Sequence, residues 1–218
     1  MTNYILNTTT IQPLSKNKPQ QAIVLCHGYG GDGKDISMLA IGWQRFLPEA
    51  IFLCPDAPER CTINPKGYQW FDLESGEDDI IFEKSLVAEE KLSKFLDQIL
   101  DNFQLQTINL ALVGFSQGCM ISIQVGLKKK QQINSLIGYS GKIINQTHLS
   151  KNINSKPKIF LMHGANDPIV PPMHLLESKE YLLKHKIKIK TKLFNNCEHR
   201  IPVQGSSLGL EFLKKNLL

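Results

Sequence analysis

The sequence lacks a long uninterrupted apolar run, a paired-cysteine motif and a basic N-terminal segment that leads into an apolar one. Because there is no run of about 20 apolar residues and no basic-to-apolar start, we expect neither a transmembrane helix nor a secretory signal peptide. The five cysteines are odd in number, widely scattered and mostly set in apolar runs, which favours reduced thiols over a disulfide framework. We therefore expect a soluble protein of the cytoplasm.

Features of nucleic-acid, phosphate and metal sites are also missing. The net charge of +5 is modest, and the lysines gather in residues 128–130 and 184–192 without interleaved aromatic residues to stack on bases. No C-x-x-C pair is present, and the glycine-rich segment 28–33 lacks the Gly-Lys-Ser/Thr of a phosphate loop. We expect no nucleic-acid partner, no metal and no cofactor, whereas attraction to anionic lipid stays open.

The order of apolar patterns predicts an α/β fold with a mostly parallel central sheet and helices on both faces, because strand and helix signals alternate along the chain. Strand patterns fall at residues 4–11, 22–26, 51–54, 133–139 and 158–162, directly before residue 114, and in a lysine-striped run that ends near residue 195. Helical patterns cover residues 35–46, 80–103, 173–185 and 203–217, and another helix follows residue 116. The 218 residues, 42% of them hydrophobic, suit a single domain over residues 1–218.

Three local features refine this prediction. Asp35 is placed to cap the first helix, and the alternating lysines mark the last strand as an edge strand guarded by charge. Two segments, 55–79 and 140–156, carry no clear period and are predicted as irregular connections. A loop as long as segment 55–79 inside a compact domain is usually either functional or disordered.

The segment 108–122 carries the strongest chemical signal. An apolar strand runs into Gly114-Phe115-Ser116-Gln117-Gly118, and a helix follows at once. This G-x-S-x-G pattern is typical of a nucleophile elbow, in which small neighbours tolerate the strained serine backbone and the serine hydroxyl stands clear of the sheet. The context therefore predicts Ser116 as a nucleophile.

A serine hydroxyl needs an imidazole to accept its proton, and His199 is the best candidate among the six histidines. It follows the last predicted strand and precedes the last predicted helix, which matches the chain order Ser, Asp, His. His27 and His163 stand at strand ends before a glycine, where structural roles are expected. The histidines in helices or polar connections are expected to be solvated, namely His148, His174 and His185.

Asp167 is the predicted acid partner of this histidine. It follows the strand at residues 158–162, and the nearby prolines at positions 168, 171 and 172 stiffen the turn that presents it. Asp56 and Asp72 come too early for the expected order. Glu198 is adjacent to His199, but neighbouring side chains rarely face one another, so we expect it to be a solvent-facing charge.

The loop after the strand at residues 22–26 is predicted to complete an oxyanion hole. Its glycines at positions 28 and 30 let the backbone pass close to the serine, so that the Tyr29 N–H can pair with the N–H of Gln117. The alternative is an ordinary glycine-rich turn.

Together these segments resemble the phospholipase/carboxylesterase family of α/β-hydrolases, which includes the acyl-protein thioesterases. The resemblance rests on HGYGGDG, PDAP, WFD, GFSQG, the Ser-Gly at 140–141, HGANDPIVP and HRIP, in the order of the family. It implies Ser116, Asp167 and His199 as the triad, and the Tyr29 and Gln117 amides as the oxyanion hole. It also implies that Trp70 and Phe71 of the WFD segment lie beside the substrate pocket; the alternative for Trp70 is a place in the core.

The sequence departs from the family pattern at three places. Cys119 stands where a second glycine is common after GFSQG, and residues 195–198 replace a glycine-containing segment before the histidine. Asp56 occupies a position often held by Asn or His. These departures affect the shape of the pocket and the setting of His199, but none removes a triad residue.

The resemblance implies a serine hydrolase that cleaves carboxylic esters or thioesters through an acyl-enzyme on Ser116. The implied partners are small esters or thioesters, lipids or acylated proteins. Lysophospholipase activity, an acyltransferase or perhydrolase using the same acyl-enzyme, and a non-catalytic binding protein remain alternatives. The sequence leaves a monomer and a homodimer both open.

Overall fold

The computed structural model describes residues 4–73 and 78–218. The strands are β1 (Thr8–Ile11), β2 (Gln21–Cys26), β3 (Ala50–Pro55), β4 (Glu59–Arg60), β5 (Tyr68–Gln69), β6 (Leu110–Phe115), β7 (Ser135–Tyr139), β8 (Lys158–Gly164) and β9 (Ile189–Phe194). Seven of them form one sheet in the order β1-β3-β2-β6-β7-β8-β9, and β4 pairs with β5 in a separate hairpin. In the large sheet β1 is antiparallel to β3, and the other neighbours are parallel.

Six α-helices of the described residues cover this sheet. They are α1 (Gly33–Gln44), α2 (Asp78–Phe103), α3 (Gln117–Lys128), α4 (Gln146–Asn152), α5 (Met173–Lys184) and α6 (Val203–Leu217). Buried side chains of α2, α3, α4 and α5 belong to one core layer, and those of α1 and α6 belong to the other. The predicted mostly parallel sheet with helices on both faces is therefore confirmed.

The central strands are continuous apolar runs in the sequence because helices cover both of their faces. In β2, Val24 and Cys26 point into the first core layer, whereas Ile23 and Leu25 point into the second, and all four are fully buried. Burying each of the larger side chains contributes about 1.5–3 kcal/mol relative to exposure. The alternation fixes the register of β2 and thereby the point at which its loop leaves the sheet.

The long helix α2 follows the predicted amphipathic pattern. Leu92, Phe95, Leu96 and Ile99 are fully buried and recur at the i, i+3, i+4, i+7 positions of one helical face against a core. Within the two described ranges, none of the helices is both long and apolar enough to span a bilayer.

Two local predictions were wrong. The side chain that caps α1 is Asp32, whose carboxylate accepts the N–H of Asp35; the helix begins at Gly33, two residues before the predicted cap. The segment 140–156 contains α4, of which only Leu149 is fully buried, so it carries too little apolar period to be recognised. The segment 55–79 holds the β4–β5 hairpin, and its residues 74–77 lie outside the described residues.

The lysine-striped strand is β9, and the predicted edge position is confirmed because it stands last in the sheet order. Its alternate residues are partly buried, while Lys190 and Lys192 are exposed. The Lys190 ammonium lies 4.7 Å from the ring centre of Phe160. Charged side chains along an exposed edge hinder pairing with another chain.

Candidate active site

Ser116 lies between β6 and α3, at the carboxyl end of a central strand. Its backbone has φ 54° and ψ −119°, a left-handed conformation that is strained for a residue with a side chain. The flanking glycines are required, since a Cβ on Gly118 would lie 2.1 Å from the Cys26 carbonyl oxygen and one on Gly114 would lie 2.3 Å from that of Gly118. The Ser116 N–H donates to the Tyr139 carbonyl at 2.9 Å. The elbow geometry predicted from the motif is present.

The structure brings together the three side chains predicted as a triad. The Ser116 Oγ lies 3.0 Å from His199 Nε2, and His199 Nδ1 lies 2.8 Å from Asp167 Oδ2. With the proton on Nδ1, His199 donates to the carboxylate and accepts from the serine hydroxyl. This tautomer is the one that can receive the serine proton.

Backbone hydrogen bonds hold Asp167 in its ionised form. Its Oδ1 accepts the N–H groups of Ile169 and Val170, each at 2.9 Å, while Oδ2 faces His199. Burial raises the pKa of Asp167, but the bonds from Val170, His199 and Ile169 outweigh burial, so that the pKa lies below its ordinary value. A carboxylate that stays charged can stabilise the imidazolium that forms when His199 takes a proton.

The loops that carry the acid and the histidine are tied to each other through their backbones. The Asn166 N–H donates to the Cys197 carbonyl at 2.9 Å. A Cβ on Gly164 would lie 2.3 Å from that same carbonyl oxygen, so the two loops are in close contact. Asn196 has φ 53°, and asparagine tolerates this left-handed conformation better than most residues. It therefore makes this turn in a segment that contains no glycine.

Cys119, another departure from the family pattern, is accommodated by glycines on the neighbouring strand and loop. A Cβ on Gly138 would lie 2.3 Å from the Cys119 Sγ, and one on Gly141 would lie 2.5 Å from it. The sulfur therefore occupies space that a side chain at either position would need. The larger residue after GFSQG leaves the turn at Ser116 in place.

The third departure, Asp56, fixes the start of α1. It is buried, and its Oδ1 accepts the N–H of Gly33 at 2.8 Å while its Oδ2 accepts the side-chain amide of Asn7. The carboxylate thus links the end of β3 to the first residue of the helix. Its role in this structure is to hold backbone in place.

The five cysteines are free and buried. Burial raises the pKa of the Cys26 thiol to about 12, and the same cause has the same effect on Cys119. Because the thiolate is the reactive form of cysteine, these two thiols are unreactive at neutral pH. They are packing residues around the elbow.

The loop after β2 passes directly beside the serine. A Cβ on Gly28 would lie 3.2 Å from the Ser116 Cβ and 3.0 Å from the Phe115 ring, so a side chain here would require these neighbours to move by a few tenths of an ångström. Tyr29 follows Gly28, and Gln117 is the first residue of α3, where the N–H has no partner within the helix. The two amides predicted to form an oxyanion hole thus lie on segments adjacent to Ser116; their role stays a prediction.

His27 and His163 are buried at strand ends and bonded to backbone groups. His27 Nδ1 donates to the Gly28 carbonyl at 2.7 Å and its Nε2 accepts the Ala57 N–H at 3.0 Å. His163 Nε2 donates to the Val170 carbonyl at 2.9 Å. Burial lowers the pKa of both histidines. The other three histidines are not freely solvated as expected. Each is half-buried and contacts another side chain, namely His148, His174 and His185.

The lowered pKa values of His27 and His163 predict that the protein loses stability as the pH falls. Below about pH 6.5 both imidazoles take up protons in the unfolded chain, whereas the folded state keeps them neutral to a lower pH. The unfolded state then binds more protons, and the free energy of unfolding decreases. Denaturant titrations at pH 8, 6.5 and 5 are expected to show midpoints that fall in that order.

The variant His163→Gln tests this cause. Glutamine can still donate to the Val170 carbonyl but does not titrate, so the midpoint should depend less on pH than in the parent. His174→Gln, on the partly exposed start of α5, is the matched control and should keep the parental dependence. An unchanged dependence in His163→Gln would contradict the assignment.

Trp70 and Phe71 lie next to the site but are fully buried. The Trp70 indole N–H donates to the His27 carbonyl at 2.9 Å. The backbone N–H of Trp70 and the carbonyl of Phe71 bond to the side-chain amide of Gln117, at 3.1 and 2.7 Å. Neither aromatic side chain presents surface to a substrate in this structure, so contact with the acyl group stays a prediction and the burial favours the core alternative for Trp70.

Sequence reasoning missed the side chain of Gln117. The motif predicts a role only for its backbone N–H, whereas the residue is 1% exposed and its side-chain amide joins α3 to the segment before residue 72. A glutamine in an otherwise apolar helix start is a signal for such a buried bond, but its partners lie 46 and 47 residues away in the chain.

Apolar side chains are exposed on the segments that border the triad. Ile63 lies in the β4–β5 loop, which bonds to the Gly30 carbonyl through Asn64. Ile169 follows Asp167 by two residues, and Val203 begins α6 just after the His199 loop; both are largely exposed. Among the described residues, no cluster of His, Cys, Asp or Glu could hold a metal ion.

A mostly parallel sheet with a serine elbow after a central strand, and an acid and a histidine after later strands, defines the α/β-hydrolase class. The chain matches the phospholipase/carboxylesterase family over residues 7–217. It therefore belongs to that family and is a carboxylic ester hydrolase.

Individual relatives agree with the family match. Acyl-protein thioesterase 1 of Saccharomyces cerevisiae is 30% identical over 218 residues, with 91% of this chain and 93% of that protein covered. Esterase YpfH of Escherichia coli strain K12 is 22% identical over 213 residues, with coverages of 92% and 85%. The crystal structure of esterase PE8 has a TM-score of 0.93 and 31% identity, and covers 97% of this chain and 99% of that one.

Proposed function

We propose that Ser116, His199 and Asp167 hydrolyse carboxylic esters or thioesters through an acyl-enzyme on the serine. The observation that carries this proposal is the continuous pair of hydrogen bonds from Ser116 Oγ to His199 and from His199 to Asp167, at 3.0 and 2.8 Å. The elbow and the family match support the same assignment.

In the first half of the reaction, His199 Nε2 takes the proton of Ser116 as Oγ attacks the carbonyl carbon of the substrate. The oxyanion that forms accepts hydrogen bonds from the backbone N–H groups of Tyr29 and Gln117. Asp167 stabilises the imidazolium of His199. When the tetrahedral intermediate collapses, His199 gives the proton to the leaving alcohol or thiol. Water then attacks the acyl-enzyme by the same steps and releases the carboxylic acid.

The exposed apolar side chains on the segments that border the triad, namely Ile63, Ile169 and Val203, support a substrate with an apolar acyl group. Lipids and acylated proteins carry such groups, and two of the relatives above are named esterase and acyl-protein thioesterase. The five free cysteines support a cytoplasmic location, because reduced thiols are usual in that compartment.

A series of p-nitrophenyl esters of increasing acyl length tests the substrate class. Each added methylene that contacts apolar surface contributes about 0.8 kcal/mol, which corresponds to a rise in kcat/KM of up to about fourfold. We expect kcat/KM to rise with chain length until the acyl group outgrows the contact surface. A serine-directed fluorophosphonate should abolish all of this activity.

Matched S-acyl and O-acyl substrates of the best chain length then separate thioester from ester preference. Hydrolysis of a lysophospholipid is measured as a third comparison. Acyl transfer is tested by adding methanol, since a transferase forms the methyl ester in place of the acid. A kcat/KM that is independent of chain length would contradict the proposed apolar acyl substrate.

A further inference from the structure

The side chain of Gln117 makes contacts that go beyond its place at the start of α3. Its carbonyl oxygen accepts the Trp70 N–H at 3.1 Å, and its amide nitrogen donates to the Phe71 carbonyl at 2.7 Å. Both ends of one buried carboxamide are thus paired with consecutive backbone groups of a different segment. A buried polar group that is hydrogen-bonded at both ends favours one arrangement of the groups around it.

The same segment reaches the loop that carries Tyr29. The Trp70 indole N–H donates to the His27 carbonyl, and the tilted rings of Trp70 and His27 have centres 5.8 Å apart. His27 in turn bonds to Gly28 and Ala57 through its two ring nitrogens. A chain of buried bonds therefore runs from Gln117 through Trp70 to the residues directly before Tyr29.

The outer side of that loop is held by the β4–β5 hairpin. The Gly30 N–H donates to the Tyr68 carbonyl at 2.9 Å, and the Tyr68 N–H donates to the Gly31 carbonyl at 2.8 Å. The side-chain amide of Asn64 donates to the Gly30 carbonyl at 2.7 Å. Because Trp70 directly follows β5, the contact with Gln117 also anchors this hairpin to α3.

We propose that the Gln117 carboxamide is a positioning group that sets the distance between the two N–H donors of the oxyanion hole. One donor belongs to Gln117 itself, and the other, Tyr29, is reached through Trp70 and His27. The inference rests on the proposed function, because it assumes that these two amides bind the oxyanion. Donors act on the transition state only when they are fixed at hydrogen-bond distance before it forms, so loss of the link should lower kcat more than it raises KM.

The test compares Gln117→Leu with Gln124→Leu. Gln124 is a matched control because it lies on the same helix and is fully buried, and its side-chain amide has no hydrogen-bond partner among the described residues. Trp70→Phe is a second variant that keeps an aromatic ring but loses the bond to His27. Rates with a short p-nitrophenyl ester are normalised to the serine titrated by a fluorophosphonate, and inhibition by a trifluoromethyl ketone, which forms a tetrahedral adduct, is measured in parallel.

For Gln117→Leu we expect kcat per titrated serine to fall by about 10- to 100-fold, less than the loss of a donor itself, with KM within about threefold of the parent. The ketone should bind more weakly by a similar factor. Trp70→Phe should show the same pattern at smaller amplitude, and Gln124→Leu should stay within about twofold.

Normal kcat per titrated serine in Gln117→Leu, or a change in KM alone, would overturn the inference. If that variant does not fold, normal kcat and normal ketone affinity in Trp70→Phe would overturn it instead. Failure of the proposed function is distinguishable, because the parent protein would then show no fluorophosphonate adduct on Ser116 or no hydrolysis at all.

Discussion

Ser116→Ala is expected to lower hydrolysis by about 10⁴–10⁶-fold, because only substrate binding and the oxyanion hole remain when the nucleophile is removed. The fold should survive, since the substitution removes a single oxygen whose hydrogen bond is to His199. Alanine also keeps the N–H that donates to the Tyr139 carbonyl. The comparison is made with purified protein at saturating ester, with thermal unfolding recorded on the same samples.

A Ser116→Ala variant with near-normal turnover would contradict the assignment of the nucleophile. Ser140 is the matched control, because it is also a buried serine with a positive φ at a strand end, in this case after β7. Ser140→Ala should retain the reaction with fluorophosphonate, since Ser140 lies outside the hydrogen-bonded triad.

Asp167→Asn is expected to preserve the fold and lower turnover by about 10³–10⁴-fold. The existing bonds dictate the orientation of the new amide. The atom at the Oδ1 position must accept hydrogen bonds from the N–H groups of Ile169 and Val170. The asparagine oxygen therefore takes that position, and its NH₂ group faces His199. A donor opposite Nδ1 favours the tautomer with the proton on Nε2, which cannot accept the proton of Ser116.

The pH dependence of Asp167→Asn provides a second measurement. Activity should recover partly at high pH, because hydroxide takes over part of the proton removal that the imidazole no longer performs. Glu198→Gln is the matched control: Glu198 is adjacent to His199 in sequence but exposed, so its loss should be nearly silent. A fall of several orders of magnitude in kcat/KM for Glu198→Gln, with Asp167→Asn within a few-fold of the parent, would reverse the assignment.

The positions of the three triad residues could be predicted because the signals are local. Each follows a strand of the sheet, apolar before Ser116 and Asp167 and lysine-striped before His199, and parallel strands bring their carboxyl ends to one edge of a sheet. The elbow requires small residues on either side of Ser116, and the glycines that meet this requirement lie within five residues of sequence. Chain order then reduced six histidines to His199, and the structure places it against both Ser116 and Asp167.

The network around Gln117 could not be predicted, because its partners are set by tertiary contacts. The WFD segment is equally compatible with a pocket wall and with a core position, and only the fold shows that Trp70 is fully buried. The role of Asn196 was hidden for a related reason. The positive φ of Asn196 depends on how the loop is held at Cys197. An asparagine tolerates a positive φ but does not require one, so the residue type alone does not predict it.

The start of α1 was predicted wrongly because two acidic residues compete within four positions. Asp32 and Asp35 both suit the start of a helix, one as the cap and the other within the first turn. Asp56, which is distant in sequence, accepts the hydrogen bond of the Gly33 N–H and so fixes the first residue of the helix. Helix boundaries that depend on such a contact cannot be read from the local sequence.

Mass spectrometry after reaction with a fluorophosphonate locates the nucleophile of the protein. We expect one adduct per chain, located by peptide mapping to Ser116, with hydrolytic activity lost in proportion to labelling. An adduct on another residue, or full activity in a preparation whose Ser116 is completely labelled, would contradict it.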